Sequence, residues 1–220
     1  MWEVLVKYKS ETEEEYTVLY INQNGFPYVP YPTNISDPDD PYASMGQIES
    51  SGCGLCACMM VVDRLSLQSL DLYEAVQMSV DGKANLFFGT DMTVFGPLVA
   101  KKFGLKFSVS NSEEDLKKCL QAGGAAVIRV GGDNPETGRR GVFCYVDHYI
   151  TAISYDDESG EFCILDPAYQ LGRYIGPVKE GKVRIEDCVV LYTTEEVLHE
   201  DTNDTETRAG FPRYYLFRRH

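Results

Sequence analysis

The spacing of hydrophobic and polar positions changes several times along this chain. Residues Trp2–Tyr8 and Tyr16–Ile21 alternate with period two on either side of a charged turn, Lys9 to Glu15, and predict a hairpin. Residues 22–46 carry five prolines among Asn, Asp and Ser, which predicts an ordered loop. From Gly54 to about Leu65 the chain is apolar almost all round, the pattern of a helix buried on most sides. A second helix is expected around Asp71–Met78 and a third from Asp91 to Gly104, with Lys101 and Lys102 in its last turn. Ser112-Glu-Glu-Asp115 is a helix start and Gly123-Gly124 a stop.

Beyond that stop the pattern turns to strands. Ala125–Val130 reads as a short buried strand, followed by a loop, 131–141, rich in Gly, Asp and Arg. Val142–Tyr155 and Glu161–Leu165 flank Asp156-Asp-Glu-Ser-Gly160, a hairpin turn by composition. Further strands are expected at Lys182–Tyr192 and Arg213–Arg218, separated by an acidic, mobile loop from Glu195 to Glu206. Helices followed by strands give an α+β arrangement. No linker or internal repeat divides the sequence. The expectation is one domain over residues 1–220: an N-terminal hairpin and loop (1–46), a helical part (47–124) and an antiparallel sheet part (125–220).

Composition narrows the function classes. With 220 residues, 44% of them hydrophobic, the chain can bury one sizeable core. A net charge of −14 argues against nucleic-acid phosphates and anionic membrane surfaces as partners. The seven cysteines, at 53, 56, 58, 119, 144, 163 and 188, are an odd number, and several lie inside apolar runs where a free thiol packs as a small hydrophobe. The N-terminus lacks the basic start and long apolar core of a signal peptide, and no stretch approaches a membrane span. A reducing, cytoplasmic setting is expected, and the Asn-x-Ser/Thr matches at Asn34 and Asn203 are then coincidental.

The candidate chemistry centres on Cys53, in the run Gln47-Ile-Glu-Ser-Ser-Gly-Cys53-Gly-Leu-Cys. A thiol at the head of a buried helix meets orphan backbone N–H groups and the positive end of the helix dipole, which favour the thiolate. Glycine on both sides suggests that something approaches the sulfur closely. Gln47, six positions upstream, is placed to aim a side-chain amide at whatever the thiol attacks. Of the three histidines, His199 falls in the acidic segment and His220 is the last residue, which leaves His148. His148 and Asp166 are equidistant from Asp157, so a symmetric hairpin makes them cross-strand neighbours, and a one-residue slip would set them on opposite faces. Zinc is the competing use of Cys53, Cys56, Cys58 and His148. On a helix, however, positions 53 and 58 lie about 140° apart, and there is no second CxxC, so Cys56 and Cys58 are read as core residues with no metal or cofactor. Tyr28, Tyr31 and Tyr42 are read as loop anchors rather than as cleft walls.

The run Ile-Glu-Ser-Ser-Gly-Cys-Gly-Leu-Cys-Ala-Cys-Met-Met-Val-Val resembles the nucleophile segment of papain-like cysteine peptidases. It is most similar to the bacteriocin-processing (double-glycine leader) peptidase-like branch found widely in bacteria. That branch shows a Ser-Gly-Cys-Gly-Pro-Thr stretch before a buried helix, a Gly-His-apolar strand and then Asp-Pro, and the resemblance covers roughly residues 45 to 170. It implies a papain-like fold, with the buried Cys-bearing helix packed on an antiparallel sheet carrying His and Asp. It assigns Cys53 as nucleophile, His148 as base, Asp166 as orienting residue and Gln47 as oxyanion donor. Leu55-Cys56 replaces the usual Pro-Thr and Asp147 the usual Gly. Neither change removes a catalytic group, and both bear on the shape of the cleft. No transporter membrane domain follows, so leader cleavage coupled to export is not expected. The implied activity is hydrolysis of a peptide or amide bond in a peptide or protein substrate. Acyl transfer of transglutaminase type, isopeptidase activity and a non-catalytic peptide-binding module are the alternatives, and nothing in the sequence fixes the oligomeric state.

Overall fold

The computed structural model describes residues 3–9, 15–32, 46–86, 89–186, 189–203 and 210–220. The interior of the first charged turn, Asn34, Tyr42, Cys188 and the far end of the acidic segment lie outside them. Strands β1 (Glu3–Lys9) and β2 (Glu15–Ile21) pair antiparallel, from Glu3 opposite Ile21 to Lys9 opposite Glu15. One 3-10 turn, Gln23–Gly25, follows. Helix α1 (Ile48–Ser51) is a single turn, and helix α2 (Cys53–Leu65) starts two residues after it ends. Ten of the thirteen residues of α2 are buried, because β2, α3 (Leu72–Asp81), α4 (Met92–Phe103) and the main sheet enclose it. The Asp63 carboxylate accepts the Leu19 amide at 2.6 Å and so fastens the hairpin to this helix. Asp71 and Asp91 cap α3 and α4 through their side chains, and Gly104 ends α4 at φ 62°, where a Cβ would be disfavoured. The two-residue strands β3 (Asn85–Leu86) and β4 (Gly89–Thr90) pair in front of α4.

The remaining strands form one antiparallel sheet: β5 (Lys106–Ser110), β6 (Ala125–Gly131), β7 (Asp147–Asp156), β8 (Glu161–Leu165), β9 (Arg184–Glu186), β10 (Val190–Thr194) and β11 (Tyr214–Arg218), in the order β5-β11-β6-β7-β8-β10-β9. Alternate residues feed two cores. Val127, Tyr149, Ile153, Leu165 and Tyr215 face α2 and α4. Ile128, Ile150, Ala152, Ile164 and Leu216 pack with Leu116 and Leu120 of α5 (Glu113–Gln121) and Leu198 of α6 (Glu195–Asn203). Because both faces of the sheet are covered, β6 is buried at every position and reads as an apolar run interrupted only by Arg129.

Three expectations are corrected, and one strand is added. The acidic segment is not a loop as far as Asn203: it forms α6, whose Leu198, Asp201 and Thr202 are buried while Glu196 and Glu200 are exposed. Asp201 also explains why the strand expected from Val142 begins only at Asp147. Its carboxylate accepts the amides of Val142 and Phe143 at 2.9–3.1 Å, which removes them from the ladder. The single strand expected over Lys182–Tyr192 is two strands, β9 and β10, which pair with each other. β5, for which the pattern gave no signal, joins the sheet as an edge strand with a mostly exposed surface.

Candidate active site

The register of the β7–β8 hairpin decides what meets what, and it is not symmetric about Asp157. Asp156 pairs with Glu161 and Tyr155 with Phe162, which centres the turn one and a half residues later. That register alone would set His148 and Asp166 on opposite faces. A β-bulge at Ile153 shifts it by one, so that Ala152 pairs with Ile164 and Thr151 with Leu165. Continued one residue further, this pairing sets Asp166 across from Ile150, on the face that His148 shares. The two are therefore diagonal rather than direct neighbours. Their side chains still meet, with His148 Nε2 2.7 Å from Asp166 Oδ1.

Asp166 is the most heavily bonded carboxylate of the site and is fully buried. Oδ1 also accepts the Ala168 amide at 2.8 Å, and Oδ2 accepts the Tyr174 hydroxyl at 2.5 Å. The Arg173 guanidinium lies 2.8 Å from Oδ2 as an ion pair. Burial by itself would raise the Asp166 pKa, but His148, Arg173 and Tyr174 together lower it from 3.8 to about 2. For His148 burial works toward the neutral ring. The charge and hydrogen bond of Asp166, joined by the Cys53 thiol, overcome it and raise the pKa from 6.5 to about 9. The imidazole is thus a cation at neutral pH, with Asp166 on one nitrogen and Cys53 as its other polar partner.

Cys53 opens α2 and is half-buried, whereas Cys56, Cys58, Cys119, Cys144 and Cys163 are buried. Burial pushes the Cys56, Cys58 and Cys144 thiols far above their ordinary range. Cys58 points into the core against Met92 Sδ at 3.9 Å. The glycines around Cys53 have a different reason from the one the sequence suggested. A Cβ on Gly54 would stand 2.8 Å from Thr90 Cβ, and one on Gly52 would stand 2.6 Å from the Ile48 carbonyl oxygen. They let the head of α2 press against β4 and α1, rather than leaving room above the sulfur.

Gln47 is the N-cap of α1 and is exposed, its carbonyl accepting the amides of Ser50 and Ser51. Another glutamine, absent from the sequence argument, is buried against α1. Gln23 Nε2 donates to the Glu49 carbonyl at 2.6 Å, and the Gln23 amide donates to the Pro167 carbonyl at 2.8 Å. Glu49 O is the acceptor that the Cys53 N–H would take if α1 ran on into α2. No hydrogen bond joins Cys53 N–H to a carbonyl among the described residues. Tyr20 completes the clamp, its hydroxyl donating to the Asp166 carbonyl at 2.8 Å. Asp147, directly before His148, forms a two-pronged ion pair with buried Arg129 and pins the start of β7 to β6. Of the tyrosines read as loop anchors, Tyr31 is buried and bonded to Ser79 and Thr90, while Tyr28 is almost fully exposed. The other histidines are exposed, His199 on α6 beside Glu113 and His220 at the last residue. No helix among the described residues is long and apolar enough to cross a membrane.

No family model matches the chain, and no curated protein matches it. Among solved structures, a Bacillus anthracis protein described as a C39-like peptidase has 13% sequence identity to this chain and a TM-score of 0.50. The match covers 88% of this chain and 96% of that one. At such identity the likeness is one of fold: helices packed on a large antiparallel sheet, papain-like in general architecture, with no branch of that broad group singled out.

Proposed function

We propose that the protein is a cysteine-type peptidase or amide hydrolase, with Cys53 as nucleophile, His148 as acid–base and Asp166 as its orienting carboxylate. Within the papain-like group the Ser51-Gly52-Cys53-Gly54 run points toward the double-glycine leader peptidase-like branch. The observation that carries the reading is the buried His148–Asp166 contact of 2.7 Å on an imidazole whose other polar partner is a half-buried thiol at a helix start.

The chemistry follows from that arrangement. Asp166 holds Nε2, which leaves Nδ1 for the Cys53 proton. The raised His148 pKa favours the ring as the holder of that proton. The sulfur attacks the carbonyl carbon of a peptide bond and the C=O electron pair moves onto oxygen. Cys53 N–H and the Gln47 amide receive the oxyanion. As the tetrahedral adduct collapses the C–N bond breaks, and His148 gives its proton to the departing amine. Water, deprotonated by His148, then attacks the thioester and releases the acid, returning the proton to the Cys53–His148 pair. The test is incubation with a randomised hexapeptide mixture, followed by mass spectrometry. Cleavage products are expected from the native chain and not from Cys53→Ala or His148→Ala. Equal cleavage by Cys53→Ala would overturn the assignment.

A further inference from the structure

Arg173, the ion-pair partner of Asp166, lines an open cleft of ≈450 Å³, walled by Arg140, Gly141 and Tyr145 on one side and by the segment from Gln170 to Lys179 on the other. The second wall is a run of tight turns. Arg173 N–H donates to Gln170 O, Ile175 to Gly172, and Lys179 and Glu180 to Gly176. Gly172 and Gly176 take the positive φ angles, 86° and 123°, that such a run requires. The turns fold Lys179 inward until it is only 6% exposed. Its ammonium lies 5.0 Å from the ring centre of Tyr145 and 5.5 Å from that of Tyr174.

Three cations line this cleft in a chain of net charge −14, and two of them are engaged. Arg173 is paired with Asp166 and donates to the Phe143 carbonyl at 2.6 Å, and Arg140 is paired with Asp133 at 2.7 Å. Lys179 has two aromatic faces and no carboxylate partner among the described residues. Burial, with Arg173 nearby, pushes its pKa down. A buried ammonium in this state is stabilised by any anion that enters beside it. Around the opening stand Leu171, Ile175 and Tyr145, exposed by 96%, 78% and 63%. That is an apolar rim suited to the flanking side chains of a peptide.

We propose that this cleft is a specificity site that takes an Asp or Glu side chain of the peptide substrate. The proposal rests on the reading of Cys53 as nucleophile. Contacts run in series from Cys53 to His148, to Asp166, to Arg173 and Tyr174, and from the Tyr174 ring to Lys179. Arg173 both pairs with Asp166 and lines the cleft, so the cleft borders the residues that hold the imidazole.

The test uses the same randomised hexapeptides, N-acetylated and C-amidated so that no terminal carboxylate competes. Sequencing of the products is expected to show Asp and Glu favoured over Asn and Gln by about tenfold at one fixed position relative to the cut. Lys179→Met is expected to abolish that preference and to leave cleavage of neutral peptides intact. Lys179→Gln serves if the first variant melts early. Cleavage without an acidic preference, or a preference that survives in both variants, overturns the cleft assignment and leaves the catalytic reading standing. The library is also passed over immobilised Cys53→Ala chain. Retention of acidic over amide peptides that depends on Lys179, when the native chain shows no cleavage, keeps the cleft and removes the catalytic reading. No selective retention and no cleavage overturn both.

Discussion

Asp166→Asn nearly preserves shape and removes one charge, so it isolates what the carboxylate does for His148. In the native protein that charge faces His148 Nε2 at 2.7 Å and Arg173 Nε at 2.8 Å, and it accepts from Ala168 N–H and Tyr174 O–H. Burial pulls the His148 pKa down, and Asp166 is the main reason it stands at about 9 instead. Without the charge burial prevails, and the imidazole is expected to titrate below 6.5 and be neutral at pH 7. A rise from 6.5 to about 9 corresponds to ~3 kcal/mol of folded-state stabilisation of the cation. Breaking a buried pair while leaving its partners in place costs about 3–5 kcal/mol. For a chain of this length the melting temperature should drop on the order of 10 °C. The assay is a pH titration of the histidine ring resonances. The chain has only three histidines, and the His148 signal is identified by its loss in His148→Gln. The native signal is expected to titrate near pH 9 and the Asp166→Asn signal below 6.5. A native midpoint near 6.5, or one unmoved by the substitution, would refute the reasoning.

Three further outcomes follow from the same geometry. The His148 pKa is raised on folding, so its contribution is complete below pH 6.5 and is lost as the pH rises through about 9. The Asp166 pKa is lowered, so its contribution is complete above 3.8 and is lost as the pH falls toward about 2. Urea unfolding should therefore show a decline between pH 6.5 and 9.5 that is shallower in His148→Gln, and a rise over that window would contradict the pairing. Gly54→Ala places a methyl carbon 2.8 Å from Thr90 Cβ and should cost about 1–3 kcal/mol through overpacking; an unchanged melting temperature would mean that β4 yields freely. Gln23→Met leaves the Glu49 carbonyl without its side-chain donor and should cost about 1–3 kcal/mol in urea unfolding. If Gln23 keeps the Cys53 N–H available, that variant should also slow peptide cleavage more than substrate binding, and a loss in binding alone would assign Gln23 a purely structural role.

Much of this was legible in the sequence wherever one physical requirement dominated. The helix from Cys53 is buried at ten of its thirteen positions, and its first ten residues carry no charge to obscure it. The third helix carries its own boundaries in Asp91 and Gly104. β6, buried at every position, is apolar apart from the ion-paired Arg129. The rest was set by contacts remote in sequence. Acidic composition hid α6, because only Leu198, Asp201 and Thr202 reveal its inner stripe, and Asp201 has meaning only once it meets the Val142 and Phe143 amides. The pairing of His148 with Asp166 was anticipated from a turn centre that proved wrong. An offset turn and the bulge at Ile153 together restored the same face, and no local pattern announces that. Arg173, Tyr174 and Lys179 come from a segment of turns without periodicity. Gln23 lies 30 residues before Cys53, where no spacing argument reaches it.

The most direct test of the central claim is limited alkylation with iodoacetamide under native conditions, with peptide mapping over time. Cys53 is expected to be labelled before Cys56, Cys58, Cys119, Cys144 and Cys163, and its rate near pH 7 should fall in His148→Ala while the other cysteines keep theirs. Labelling of Cys53 no faster than the buried cysteines, or at a rate indifferent to His148, would contradict the account.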